Sequence, residues 1–189
     1  KWDGNPTIYW GRESDGTFVL VGKNGWGKNK STSSQDLSRF IQNSGKGVDE
    51  EPWRKDFGEE MAEVFELMKS ATPPNFRGYV YGDLLYSPRK PFTAVDGAVE
   101  FEPNKVKYTV DTNGPLGERI ANSKVGLVVH TKFDEFGSKS ATPITDVQEL
   151  NSPDVVVLGQ TYVTHQPKVD TSEVKGIRAA AEKNAQAID

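Results

Sequence analysis

The chain has 189 residues, a formal net charge of −4 and no cysteine. This length is enough for one domain with its own hydrophobic core, and the lack of cysteine excludes disulfides, cysteine-ligated metals and thiol nucleophiles. The mild acidity argues against a nucleic-acid-binding surface that covers the whole chain. No apolar run is long enough to span a bilayer and no signal peptide is visible, so the sequence predicts a cytoplasmic protein without a membrane partner.

The first predicted elements are a β-hairpin and a short helix. Residues 7–10 and 18–21 are rich in β-branched and aromatic side chains, and a Glu-Ser-Asp-Gly turn separates them. A polar loop over 22–30 follows the hairpin. Ser33 or Ser34 can then cap a helix, because a serine oxygen accepts a hydrogen bond from the first free N–H groups.

The rest of the chain mixes helices with strands. A polar connection over 45–55 precedes a long helix. This helix begins with a capping box of Asp56 and Glu59 and ends before Pro73. The later elements are a strand at 78–86, a hairpin of 98–101 and 106–110, a helix at 116–121, a strand at 125–131, a loop at 138–153, a strand at 155–158 and a final helix capped by Asp170 or Thr171. Because strands and helices do not alternate strictly, the sequence predicts an α+β fold of antiparallel sheets with flanking helices, in a single domain over 1–189.

Four short motifs carry residues with possible chemistry. They are Lys1-Trp2-Asp3-Gly4-Asn5 before the first strand, Lys23 at the exit of the hairpin in Val-Gly-Lys-Asn-Gly, Asp83 in the strand Val-Tyr-Gly-Asp-Leu-Leu, and His130 in the strand Gly-Leu-Val-Val-His-Thr. Each has a plainer explanation as a surface lysine, a carboxylate at a strand bend or a satisfied sheet histidine. Asp83 is the most telling, because an ionised carboxylate in a run otherwise fit for burial is costly unless it has a partner.

As an ordered set, these motifs resemble the covalent nucleotidyltransferase superfamily of ATP-dependent DNA ligases, RNA ligases and mRNA capping enzymes. Within it, the chain looks most like uncharacterised ligase-like proteins of tailed phages that infect marine cyanobacteria. The resemblance covers 1–133 and implies part of a ligase adenylyltransferase (ATP-grasp-like) domain, in the cytoplasm of the infected host cell. It implies ATP and Mg²⁺ as cofactors and the ends of RNA or DNA as partners.

The resemblance also implies a role for each motif. Lys1 would attack the α-phosphate of ATP to form lysyl-AMP, with Asp3 as the second catalytic residue, and the nucleotide-binding residues would be Gly4, Asn5, Lys23, Asp83 and His130. Asp83 stands where most members place a glutamate that binds the ribose, and His130 stands where they place an aromatic ring that stacks on the purine. DNA ligases carry an arginine shortly after the glycine of this motif, whereas this chain has Asn5 and Pro6 there. A small polar residue at this position resembles RNA-ligase variants.

The chain departs from this family after Thr131. No later strand of the E-G-x-V or K-x-K type follows, although these strands help to hold the metal and the α-phosphate in the family. Segments 96–99 and 105–107 look like the E-G-x-V and K-x-K strands. They come before the strand that carries His130, however, whereas the family places them after it, so an ordinary hairpin explains them better. The absence of an initiator methionine and of these strands predicts a fragment that self-adenylylates weakly or not at all, in which 134–189 has no assigned role.

Two other hypotheses remain open from the sequence. The chain could be a non-catalytic descendant that uses the same fold to bind nucleotide or nucleic acid, as the aspartate at 83 and the histidine at 130 suggest. It could also be an unrelated phage interaction domain in which the opening motif is accidental. Binding of ATP separates the first two hypotheses from the third.

Overall fold

The computed structural model of the protein describes residues 2–144 and 146–160. Lys1 and the predicted C-terminal helix therefore lie outside the described residues. The strands are β1 (Thr7–Arg12), β2 (Phe18–Gly22), β3 (Gly78–Tyr86), β4 (Thr93–Val95), β5 (Ala98–Phe101), β6 (Tyr108–Asp111), β7 (Val125–Phe133), β8 (Thr142–Pro143) and β9 (Val155–Gly159). The helices are α1 (Ser34–Asn43), α2 (Gly47–Glu50), α3 (Trp53–Ala71) and α4 (Pro115–Ala121), and a 3₁₀ turn covers Gln148–Leu150.

The larger sheet has the strand order β2-β1-β3-β7-β8, and β9 pairs with the first half of β7. A separate antiparallel sheet has the order β4-β5-β6. The predicted α+β class is confirmed, whereas the expectation of antiparallel sheets is wrong for one pair, because β7 and β9 are parallel. Parallel pairing needs a long return connection, and residues 134–154 supply it.

The hydrophobic core has two layers, one on each face of the larger sheet. On one face, α1 and α3 cover alternate strand residues, and the fully buried members include Ile8, Trp10, Leu20, Val80, Leu127, Met61, Val64 and Phe65. On the other face, the smaller sheet and α4 cover a second cluster that includes Leu85, Tyr86, Val99, Phe101, Ile120 and Val128. The strand period of two and the helix period of 3.6 explain which side chains enter each layer.

The helix ends differ in how well the sequence predicts them. Ser33 caps α1 as predicted, because its Oγ accepts a hydrogen bond of 3.1 Å from the Asp36 N–H. The predicted capping box of α3 is wrong, since this helix begins at Trp53, directly after Pro52, and Asp56 lies in its first turn. A proline suits a helix start because it has no N–H to leave unpaired, and an acidic residue still favours the first turn through the helix dipole.

Among the described residues, no helix combines the length and the apolar character that crossing a membrane requires.

We expect Phe65→Ala to lower the free energy of unfolding by about 3–5 kcal/mol, because it leaves a cavity in the layer between α3 and the sheet. Phe65 is fully buried and its ring meets that of Phe18 edge to face, with 5.1 Å between the centroids. Urea unfolding followed by circular dichroism measures the loss. Val95→Ala is the matched control, because this exposed side chain should cost no more than about 0.5 kcal/mol. A loss below about 1 kcal/mol for Phe65→Ala would contradict this packing.

Candidate functional site

The segment before β1 lies against the middle of β3. The Asn5 N–H donates to the Leu84 carbonyl, and the Leu84 N–H donates to the Pro6 carbonyl, each at 2.9 Å. At Gly4 a Cβ atom would lie 2.3 Å from the Leu84 carbonyl oxygen, so only glycine allows this approach. The close backbone approach expected at Gly4 is therefore made to β3, and it places the opening motif beside Asp83.

Asp83 is the point where this segment, β3 and β7 meet. Its carboxylate accepts hydrogen bonds of 2.8 Å from the Thr7 hydroxyl on one oxygen and from His130 Nε2 on the other. Gly4 lies directly beside it, because a Cβ atom at Gly4 would come within 3.0 Å of the Asp83 Cβ atom. Only 6% of Asp83 is exposed. Asp83 thus has the partners that its place in a buried strand requires.

The pKa of Asp83 reflects this balance. Burial alone would raise the pKa of the carboxyl, because it disfavours the charged form. The hydrogen bonds from His130 and Thr7, with smaller contributions from the charge interaction with His130 and from the nearby Gly4 N–H, outweigh this effect. The pKa therefore lies below its ordinary value, and Asp83 is ionised at neutral pH.

A β-bulge in β7 brings His130 to Asp83. Tyr81 pairs with Thr131 while Gly82 pairs with Val129, which leaves His130 as the extra residue on its strand. The other ring nitrogen, Nδ1, is bonded to the side-chain amide of Gln160. With that amide donating, Nε2 carries the ring proton and donates it to Asp83.

Asp3 is tied to the smaller sheet. Its N–H donates to the Tyr108 hydroxyl at 2.8 Å, the same hydroxyl donates to its carbonyl at 3.0 Å, and Asn104 donates to its carboxylate at 2.9 Å. The Trp2 ring packs on those of Phe101 and Tyr108. Sequence reasoning missed Asn104 and Tyr108, because nothing local links a turn about 100 residues away to the opening motif.

Lys23 is set apart from the other predicted site residues. It follows β2, so β1 separates it from Asp83 on β3. Lys23 and Asn5 instead line a common cavity of about 440 Å³ between the start of β1 and the helices α1 and α3. Asp83 and His130 do not line this cavity. The structure therefore places Asp3, Gly4 and Asn5 in the segment beside Asp83 and His130. Lys23 shares a cavity wall with Asn5 and with Thr7, the residue that donates to Asp83.

Within the part of the chain that the structure describes, no three histidine, aspartate or glutamate side chains are grouped closely enough to hold a metal ion. The described residues therefore do not supply a protein cage for Mg²⁺. An ion that arrives with a nucleotide would depend mainly on phosphate oxygens and water, as Mg²⁺ often does in proteins.

The chain belongs to DUF6267, a family of unknown function whose model matches residues 1–188. No curated protein and no solved structure matches the chain.

We expect Asp83→Asn to lower the free energy of unfolding by about 1–3 kcal/mol at pH 7, because a charged acceptor of several hydrogen bonds is lost. The folded pKa of Asp83 lies below the unfolded value of about 3.9, so its ionised form stabilises the fold above that pH. This contribution is lost as the pH falls through the folded pKa. The difference between wild type and variant should therefore narrow in acid, which urea unfolding between pH 7 and about pH 3 measures.

Asp96→Asn is the control for this experiment, because Asp96 is an exposed carboxylate in the turn between β4 and β5. It should stay within about 0.5 kcal/mol of wild type at pH 7. A difference for Asp83→Asn that is the same at neutral and at acidic pH would contradict the ionised, hydrogen-bonded carboxylate.

Proposed function

We propose that the chain is a ligase-type nucleotidyltransferase domain, in which Lys1 accepts AMP from ATP for the joining of nucleic-acid ends. One observation supports this most: the described part of the opening motif lies against Asp83, and Asp83 is hydrogen-bonded to His130. These motifs are separated by about 80 and 130 residues along the chain, yet the Asn5–Leu84 and His130–Asp83 hydrogen bonds bring them to one part of β3. Their meeting is what a shared site requires.

The reaction would form one bond and break one. The unprotonated amine of Lys1 attacks the α-phosphorus of ATP, a P–N bond forms, and pyrophosphate leaves with the electrons of the broken P–O bond. The amine must first lose a proton, since a lysine with its reference pKa of about 10.4 is a weak nucleophile at neutral pH. Mg²⁺ bound with the nucleotide would neutralise phosphate charge.

The described residues would position the backbone next to Lys1. Hydrogen bonds at Asp3 and Asn5, and the close approach of Gly4 to β3, fix the backbone that precedes β1. A fixed approach matters because a nucleophile held in the right geometry avoids much of the entropic cost of reaching its target. Asp83 acts in this proposal as a positioning residue, because its carboxylate is buried and already accepts hydrogen bonds from Thr7 and His130.

A second candidate is a non-catalytic nucleotide-binding domain of the same descent. The mutual engagement of Asp83 and His130 favours it, because both groups already have protein hydrogen-bond partners. Such a domain would bind ATP without forming a covalent bond to it.

Intact mass spectrometry of the full-length protein after incubation with ATP and Mg²⁺ separates these candidates. We expect wild type to gain the mass of one AMP group and Lys1→Ala to gain none, because the variant lacks the nucleophile. Lys105→Ala, which removes an exposed lysine between β5 and β6, is the matched control and should be labelled like wild type.

Each other outcome has a distinct meaning. Binding of ATP without a mass gain would favour the non-catalytic candidate. Labelling that persists in Lys1→Ala would show that another residue is the nucleophile. If wild type neither binds ATP nor gains mass, both candidates are wrong and an unrelated interaction domain is the better hypothesis.

A further inference from the structure

Trp53 is an exposed aromatic residue that lines two cavities near the opening motif. It is the first residue of α3 and 54% of it is exposed. It lines the cavity of about 440 Å³ that Lys23 also lines, and an adjoining cavity of about 580 Å³. Both cavities have Asn5 and Pro6 in their walls. A single exposed apolar side chain is ordinary, but this one shares a cavity wall with Asn5 and Lys23, two of the predicted nucleotide-binding residues.

The Trp53 ring is held in a defined orientation. The Arg54 guanidinium lies over it, with 4.6 Å from its central carbon to the ring centroid. Arg54 is itself bound by the Glu51 carboxylate at 2.5 Å and the Ile41 carbonyl at 3.2 Å. The Phe57 ring lies 6.0 Å away at an interplanar angle of 44°. A ring that is already oriented loses less freedom when a ligand stacks on it.

The rest of the cavity wall suits a nucleotide. The amides of Asn5 and Asn24 and the hydroxyl of Ser44 line it together with the Trp53 ring. Amides and hydroxyls can bond the edge of a base while an indole binds its face. Lys23 adds a positive charge of the kind that binds phosphate. The volume also lies within the range of about 300–1,000 Å³ that is usual for small-molecule sites.

His130, where the family resemblance places base stacking, is a poorer platform. Both of its ring nitrogens have protein partners, and only 14% of its side chain is exposed. Its ring is inclined at 51° to that of Tyr81, with 5.5 Å between the centroids. A base would have to displace existing contacts at His130, whereas Trp53 already faces an open cavity.

We propose that this cavity is the nucleotide site, in which the base stacks on Trp53 and the phosphates are bound by Lys23. The choice of ATP as the ligand rests on the proposed function. The location of the site rests on the lining of the cavity. In this proposal His130 holds Asp83 and does not contact the base.

Titration calorimetry with ATP and with adenosine tests the location. Trp53→Ala should weaken the binding of both ligands at least about tenfold, because both lose the stacking surface. Trp53→Phe keeps an aromatic ring and should stay within about threefold of wild type. Lys23→Ala should weaken ATP more than adenosine, since only ATP carries phosphate. Val95→Ala is the control, as it removes an exposed apolar side chain from the other sheet and should change neither affinity.

A second readout is independent of affinity. ATP should protect tryptophan fluorescence from quenching by acrylamide in wild type, and Trp53→Phe should lose this protection. Circular dichroism confirms that each variant is folded before binding is measured.

The outcomes distinguish this inference from the proposed function. Unchanged ATP affinity in Trp53→Ala, with a large loss in His130→Ala, would overturn the location and leave the nucleotidyltransferase proposal standing. Loss of binding in Trp53→Ala without any labelling of Lys1 would support the cavity and count against the covalent reaction. Absence of nucleotide binding by wild type would overturn both.

Discussion

The buried carboxylate of Asp83 is the interaction on which the arrangement of the candidate site depends. An ionised group in a strand with apolar neighbours is costly to bury, and the structure offsets that cost with donors from two separate parts of the chain. Thr7 lies at the start of β1, directly after the opening segment, and His130 lies in β7. Each donor thereby ties its own element to β3. The Thr7 bond adds to the backbone bonds of Asn5 and Pro6 with Leu84, which hold the opening segment beside the sheet.

The same segment separates two different environments. Toward the smaller sheet, Trp2 and Asp3 contact Tyr108 and are closely fitted to protein partners. Toward the helices, Asn5 borders open cavities with an exposed aromatic ring and a lysine. One side therefore holds the segment and the other leaves room for a ligand. For a lysine at the start of this segment, the contacts with the smaller sheet would fix its position, and the cavities on the helix side would hold its possible substrate.

Much of the fold follows from local patterns in the sequence. Alternating β-branched and aromatic residues predict β1, β2, β3 and β7, and a serine predicts the start of α1. The need of Asp83 for a partner was also predictable, because burial and charge conflict within one strand. The partner's position was not, since it depends on a bulge that no local pattern reveals. The ties from Asp3 to Asn104 and Tyr108 join distant segments, and the start of α3 depends on a proline that competes with a plausible capping box.

The bulge at His130 also acts as a phase shift along β7. Before it, the odd-numbered residues Val125, Leu127 and Val129 face the helices. After it, Phe133 keeps odd parity yet packs with Tyr79 on the opposite face of the sheet. The inserted residue thus reverses which residues of β7 face the helices, the odd-numbered ones before it and the even-numbered ones after it, while each half keeps side chains on both faces of the sheet. Deleting one residue there would remove the bulge and leave Phe133 opposite Tyr79, so what the extra residue adds to the strand is the histidine that Asp83 binds.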